Sequence, residues 1–182
     1  LEAAHTELAD VYDELAIAAR TDGMTRLLNR SSFVTDLDEI GQRGAGGVLL
    51  VIDADDFKNI NDTHGHLVGD QALCAIASVI RNVVGETGLA ARIGGEEFAV
   101  FLHGANVNAA FTVAERIRSH SHGIGRALGL PGDEVSVSIG IALHRSGQDL
   151  EDVLRAADRS LYVAKNNGRD MVVCDEALPV AA

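Results

Sequence analysis

Two acidic stretches carry residue types and spacings that could do chemistry. "RIGGEEF" runs from Arg92 to Phe98 and places Glu96 and Glu97 directly behind the Gly94-Gly95 pair, between short apolar runs. Adjacent glycines accept positive backbone angles and let a ligand approach the main chain closely. Upstream, "VLLVIDADDF" ends an apolar run in Asp53, with Asp55 and Asp56 just beyond. A carboxylate at the end of a core strand is held rigidly. That suits a hard cation such as Mg2+ or Mn2+, which takes oxygen ligands. A calcium loop of the EF-hand type would need an oxygen donor at Phe57 and glycine at Lys58, so that reading fails. Taken singly, each stretch has a plainer reading, a solvated hairpin tip and a charged strand-to-helix loop. Together they describe a metal site, provided the fold brings them side by side.

The periodicity of the chain says how it would. Val48 to Ile52 is a continuous apolar run that suits a strand buried on both faces. Leu89 to Ile93 and Phe98 to Leu102 read as two strands of a hairpin turning at Gly94-Gly95-Glu96-Glu97. Helices are expected from Asp22 to about Ile40, from Leu67 to Val84 and from about Val107 to Ser119. The second carries a stripe of Leu73, Ile76, Ala77, Ile80 and Val84. Val135 to Leu143 alternates as a half-buried strand. Asp149 is the N-cap of a last helix whose inner face holds Leu150, Val153, Leu154, Ala157 and Leu161. Gly168 stops it, and Met171 to Cys174 is a final strand. The fold class is an α/β (α+β) sandwich, with a mixed, largely antiparallel central sheet flanked by helices. An aspartate on a central strand facing an acidic hairpin is how polymerase-like palm domains hold two magnesium ions.

Residues 1–20 are set apart. Leu1, Leu8 and Leu15 recur every seven residues, and Ala4, Val11 and Ala18 fill the complementary positions, as in a coiled coil. So short a helix is marginal alone. Either it is the end of a longer parallel coiled coil, or it packs on its own domain. The chain opens on Leu1 rather than Met, and the expectation is a piece of something longer. The division is a linker helix at 1–20, a main domain at 21–175 and a tail at 176–182. No signal-peptide pattern and no unbroken apolar span of membrane-crossing length appears. Cys74 and Cys174 read as buried thiols of a reducing compartment, so the expected location is cytoplasmic, with a membrane anchor possible elsewhere in a full-length protein. A formal net charge of -12 argues against nucleic acid as a partner. It leaves room for a small phosphate ligand held by a metal and local cations.

The ordered motifs resemble the GGDEF family of diguanylate cyclases from Asp22 to Cys174. "TDGMTRLLNRSSF" is similar to the family's opening segment, with Arg26 and Ser31 in place of its glycine and second arginine. "DADDFKNINDTHGHLVGDQAL" matches the central motif at Asp53, Phe57, Lys58, Asn61, Asp62, Gly65, His66, Gly69 and Asp70. "RIGGEEF" is the signature with glutamate at its third position. "ADRSLYVAKNNGRD" matches the closing motif, with Asp170 where asparagine is usual.

The resemblance implies condensation of two GTP molecules into cyclic di-GMP and two pyrophosphates by a homodimer of antiparallel half-sites. It implies metal ligation, with two ions per site, by Asp53, the carbonyl of Ala54, Glu96 and Glu97. Glu96 would also favour deprotonation of the attacking 3′-hydroxyl, as base or through the metal. Lys58 would stabilise transition-state charge; its plain alternative is a surface lysine in a loop. Asn61 and Asp70 would read guanine, since a carboxylate accepts from N1-H and the N2 amino group, which adenine lacks. Without the resemblance, Asp70 is simply a first-turn helix residue favoured by the macrodipole. His66 would line the nucleotide pocket, and a zinc role for His64 and His66 is poor. Lys165 and Arg169, at the end of the last helix, would hold the β- and γ-phosphates. An upstream sensor would bring two domains together through residues 1–20. Two other classes stay open: a non-catalytic GTP-binding regulatory domain, and a palm-type enzyme acting on one nucleotide. The family's product site would put arginine and aspartate where this chain has Gly85 and Gly88, so inhibition through it is not expected.

Overall fold

The computed structural model describes residues 15–131 and 134–174. Within them one sheet has the order β1-β3-β4-β2-β5-β6. The strands are β1 (Leu28–Asn29), β2 (Gly47–Ala54), β3 (Gly88–Arg92), β4 (Glu97–His103), β5 (Val137–His144) and β6 (Val172–Cys174). Pairs β2–β4, β2–β5 and β3–β4 are antiparallel, whereas β1–β3 and β5–β6 are parallel. The helices are α1 (residues 15–20), α2 (Arg30–Gln42), α3 (Phe57–His64), α4 (His66–Val84), α5 (Val107–Ala127) and α6 (Leu150–Asn166). The mixed, largely antiparallel sheet between helices is the expected fold class.

The apolar run of β2 is explained by its two faces. Val48, Leu50 and Ile52 pack into a cluster with Leu73, Ile76 and Ile80 of α4 and Ile117 of α5. Leu49 and Val51 point the other way, against Phe33 and Leu37 of α2 and Val153 and Ala157 of α6. Every residue of β2 is buried. An antiparallel strand with helices on both sides has no solvated face, so it shows no alternation. Helix α4 has the length and apolar composition of a membrane-crossing helix, yet its stripe from Ala72 to Val84 is packed in the core against this sheet.

Several boundaries differ from the sequence expectation. Asp22 to Leu27 is a turn rather than the first part of a helix. The Asp22 carboxylate accepts from the Thr25 amide (2.8 Å) and hydroxyl (2.7 Å), and Arg26 is left-handed with φ 61°. Helix α2 begins only at Arg30, where the Asn29 side chain accepts from the Ser32 amide. Helix α5 runs on to Ala127, burying Ile124 and Gly125 beyond a polar, histidine-rich stretch. Helix α3 was not anticipated; Phe57 and Ile60 anchor it, and Lys58 lies in its first turn rather than in a loop. Both cysteines are half-buried, not enclosed.

Of the heptad positions, Leu1, Ala4, Leu8 and Val11 lie outside the described residues, as does the tail at 176–182. Leu15 is 61% exposed, so on the described face this helix does not pack on its own domain. Its end is fastened nonetheless. Arg20 pairs with Asp36 of α2 at 2.6 Å, and the Asn29 side-chain amide donates to the Ala19 carbonyl.

Gly140 of β5 sits directly beneath α6. A Cβ there would meet the Ala157 carbonyl and the backbone of Leu161. Overpacking of this kind destabilises by about 1–3 kcal/mol. Gly140→Ala should therefore lower the unfolding free energy by about 1–3 kcal/mol, read from the denaturant midpoint, and an unchanged midpoint would mean that α6 does not depend on this close approach.

Candidate active site

The site grows from the end of β2. Register places Asp53 opposite Glu97 of β4 on one side and Ser138 of β5 on the other. The hairpin tip is stitched to the same strand end, because the Ala54 amide donates to the Glu96 carbonyl at 3.1 Å. Within the hairpin, the amides of Ile93 and Gly94 both donate to the Glu97 carbonyl. The two acidic stretches therefore meet. Asp53, Gly95, Glu96 and Glu97 line a cavity of about 250 Å³. A second cavity of about 180 Å³ runs from Asp53 and Glu96 past Ala54 to Lys58, Lys165 and Arg169.

Electrostatics at the mouth are unbalanced. The Asp53 side chain is 6% exposed. Burial pushes its pKa up, the Lys165 hydrogen bond and charge pull it down, and Glu96 and Glu97 push it up again, to about 6. Lys165 reaches Asp53 at 2.8 Å, so this lysine, expected on the phosphates, lies against the aspartate expected to hold a metal. Arg169, left-handed at φ 63°, approaches Asp56 at 3.3 Å. On α6, Asp158 is raised by burial and then by Glu97, with Arg30 opposing.

The donor set fits a hard divalent cation. It offers carboxylate and carbonyl oxygens, and the burial that raises Asp53, with the repulsion from Glu96 and Glu97 added to it, is what a cation would offset. Among the described residues, no group of three or more His, Cys, Asp or Glu side chains is gathered tightly enough to cage an ion alone. An ion at Asp53 would thus complete its shell with water and ligand oxygens, as magnesium ordinarily does.

The other expected residues sit on α3 and α4. The Asn61 side-chain oxygen is buried without a hydrogen-bond partner. Gly69 makes room for it, since a Cβ there would collide with that oxygen. Asp70 follows on α4, exposed and in the second turn rather than the first, where no acidic residue stands. His66 is the exposed first residue of α4. His64 is taken by Glu134 at 2.8 Å.

Three supporting roles were missed. Arg92 donates through Nη2 (2.6 Å) and Nε (3.1 Å) to the Gly95 carbonyl at the turn, and through Nη1 (3.3 Å) to Asp22. Burial works to raise Asp22, but the Thr25 hydrogen bonds and Arg92 hold it below the usual carboxylate range. Asp55 borders the second cavity, but its carboxylate is held by β5, accepting from the hydroxyls of Ser136 (2.7 Å) and Ser138 (2.6 Å). It serves as a strut. The sequence marked it beside Asp53, but spacing does not give direction.

Removing the Arg92 clamp should loosen the tip while leaving the core. Arg92→Gln is expected to speed amide exchange at Gly94 to Glu97 at least tenfold, with the amides of β2 unaffected. Equal protection in both proteins would remove Arg92 from this role. Asp53 gives a pH test. A carboxyl whose folded pKa is raised contributes stability below its unfolded value, near 3.8, and loses it as pH rises through about 6. Without divalent cations, Asp53→Asn should stabilise the protein at pH 8 by roughly 1–2 kcal/mol and give no such gain at pH 4. Urea melts at both values decide it.

The comparisons with known proteins agree with this geometry. A family profile described as "Diguanylate cyclase, GGDEF domain" matches residues 19–171. Diguanylate cyclase DgcM of Escherichia coli (strain K12) is 38% identical over 173 residues, covering 92% of this chain and 41% of that protein. Diguanylate cyclase A of Treponema denticola is 38% identical over 162 residues, covering 84% of this chain and 43% of that protein. The chain thus spans less than half the length of these curated relatives. Among solved structures, the coiled coil and GGDEF domain of DgcB from Caulobacter crescentus, in complex with c-di-GMP, superposes with TM-score 0.85 at 33% identity, covering 95% of this chain and 94% of that one. Diguanylate cyclase SiaD of Pseudomonas aeruginosa, solved with its activator SiaC, gives TM-score 0.79 at 32% identity, covering 95% and 68%. With the profile spanning almost all described residues and the acidic hairpin seated on Asp53, this chain belongs to the GGDEF family of diguanylate cyclases.

Proposed function

We propose that the chain is an active cyclase domain that condenses two GTP into cyclic di-GMP and two pyrophosphates. The observation that carries this reading is the meeting of Asp53, Glu96 and Glu97 at one mouth that opens toward Lys58, Lys165 and Arg169. Asp53, the Ala54 carbonyl, Glu96 and Glu97 would hold Mg2+ or Mn2+, two ions per site. Bound there, the metal supplies charge neutralisation on the phosphates and acidifies a coordinated hydroxyl. The chain's own residues do the rest. Lys58, exposed on the first turn of α3, offers its ammonium to the charge developing on the α-phosphate. Lys165 and Arg169 would hold the outer phosphates. Asn61 and Asp70 select guanine through the N1-H and N2 donors, and His66 borders the pocket.

One protomer presents one such mouth, so two must face each other, each 3′-hydroxyl toward the other's α-phosphate. The helix leading into Thr21, fastened by Arg20 and Asn29, is where an upstream sensor would set the spacing of two domains. Gly85 and Gly88 bracket a 3-10 turn and carry no side chain for an inhibitory product contact. GTP as substrate fits a cytoplasmic location.

The test is incubation with GTP and magnesium and identification of products by mass spectrometry, across a dilution series. Cyclic di-GMP is expected, with a rate per protomer that rises with protein concentration. Glu96→Gln should lower the rate at least about 100-fold with an unchanged melting curve. Absence of the product at protein concentrations where the chain is dimeric would favour a binding-only domain.

A further inference from the structure

The turn after α6 is built against its own backbone preference. Gly168, Arg169 and Asp170 take φ 116°, 63° and 47° in succession, so two residues with side chains are left-handed. Each such placement costs roughly 1–2 kcal/mol for an ordinary residue, less for Asp or Asn. Something must over-determine it. From one side the Asp170 amide donates to Asp55 Oδ2 at 3.0 Å, and Asp55 is itself pinned by Ser136 and Ser138. From the other side Asp170 Oδ1 accepts from Arg118 Nη1 at 2.9 Å and lies 2.7 Å from His122 Nε2, both on α5. Arg118 is aimed in turn by Glu115, which takes its Nε (3.1 Å) and Nη2 (3.0 Å). The residue so positioned is the neighbour, Arg169, whose guanidinium ends at Asp56 on the wall of the phosphate-side cavity.

We propose that Asp170 is a positioning residue. Gripped by Arg118 and His122, it fixes the left-handed turn that delivers Arg169 to the triphosphate. This rests on the reading above that the site takes GTP with a divalent cation. The Asp170 carboxylate touches neither the mouth nor its ligands; it acts through the backbone of one turn. A carboxylate serves here because both partners can be cationic, and a hydrogen bond to an ionised group is about twice as strong as a neutral one.

Asp170→Asn separates charge from conformation, because asparagine tolerates the left-handed region as well as aspartate does. Binding of GTP with Ca2+ in place of Mg2+, to prevent turnover, would be measured by calorimetry, and steady-state kinetics with Mg2+ alongside. The expected result is a Kd and KM for GTP raised about 3- to 10-fold, with kcat within about twofold. In an Arg169→Ala background the same substitution should change neither, because the residue it positions is gone. Asp170→Gly, which keeps the turn accessible and deletes the carboxylate, should give a larger loss of the same kind. If Asp170→Asn binds GTP like the parent, or if the two substitutions are additive, the positioning role is wrong while the cyclase reading stands. If the parent itself binds no GTP and makes no cyclic di-GMP, both fall.

Discussion

The structure depends on one strand being paired on both edges and covered on both faces. β2 lies between β4 and β5, and its side chains feed two separate apolar clusters. A strand so enclosed cannot slip by one residue without exchanging the occupants of both clusters. Asp53, at its end, inherits that fixed position. So does the acidic hairpin, whose register against β2 is the same ladder continued to its last pair, Asp53 with Glu97. The rigid geometry that a hard cation requires is thus supplied by apolar packing some distance from the chemistry.

What this rigidity produces is an electrostatic fault. A buried aspartate is held beside two glutamates in a chain of formal charge -12. The fold answers with a few cations brought in from elsewhere, Lys165 onto Asp53 and Arg169 onto Asp56. Lys165 comes from the last turn of α6 and Arg169 from the turn after it, and α6 lies close against β5 because Gly140 allows it. Residues expected to meet phosphate are the ones that compensate the acidic mouth. The two tasks are compatible, since a metal bound at the mouth would take over the first and leave the cations to the ligand's charge.

Support for the reactive groups is spread over small, directional polar contacts rather than further packing. Arg92 links the Gly95 carbonyl to Asp22, and Asp22 closes the turn that follows α1. The hairpin tip therefore shares a contact chain with the segment through which residues 1–20 enter. Asp55 binds the end of β2 to β5 and to the turn beyond α6. Gly69 leaves space for the Asn61 side chain between α3 and α4. Each holds one site element in place and touches no reacting atom.

Sequence by itself determined the central strand, the hairpin, the capped helix at Asp149 and the two acidic motifs. These follow from local signals: an apolar run, paired glycines, an N-cap and motif spacing. It did not determine where α2 begins, because the Asp22–Thr25 turn is closed by side-chain hydrogen bonds that hydrophobic periodicity does not report. Nor did it reveal α3, whose polar sequence is folded by the burial of only Phe57 and Ile60. Above all, it did not show what Asp53 and Asp55 each face. The two alternate along one chain as identical carboxylates, and only the partner strands decide that one faces the acidic hairpin and the other the serines of β5. A side chain's type is a property of the chain; what it faces is a property of the neighbours that long-range pairing brings to it.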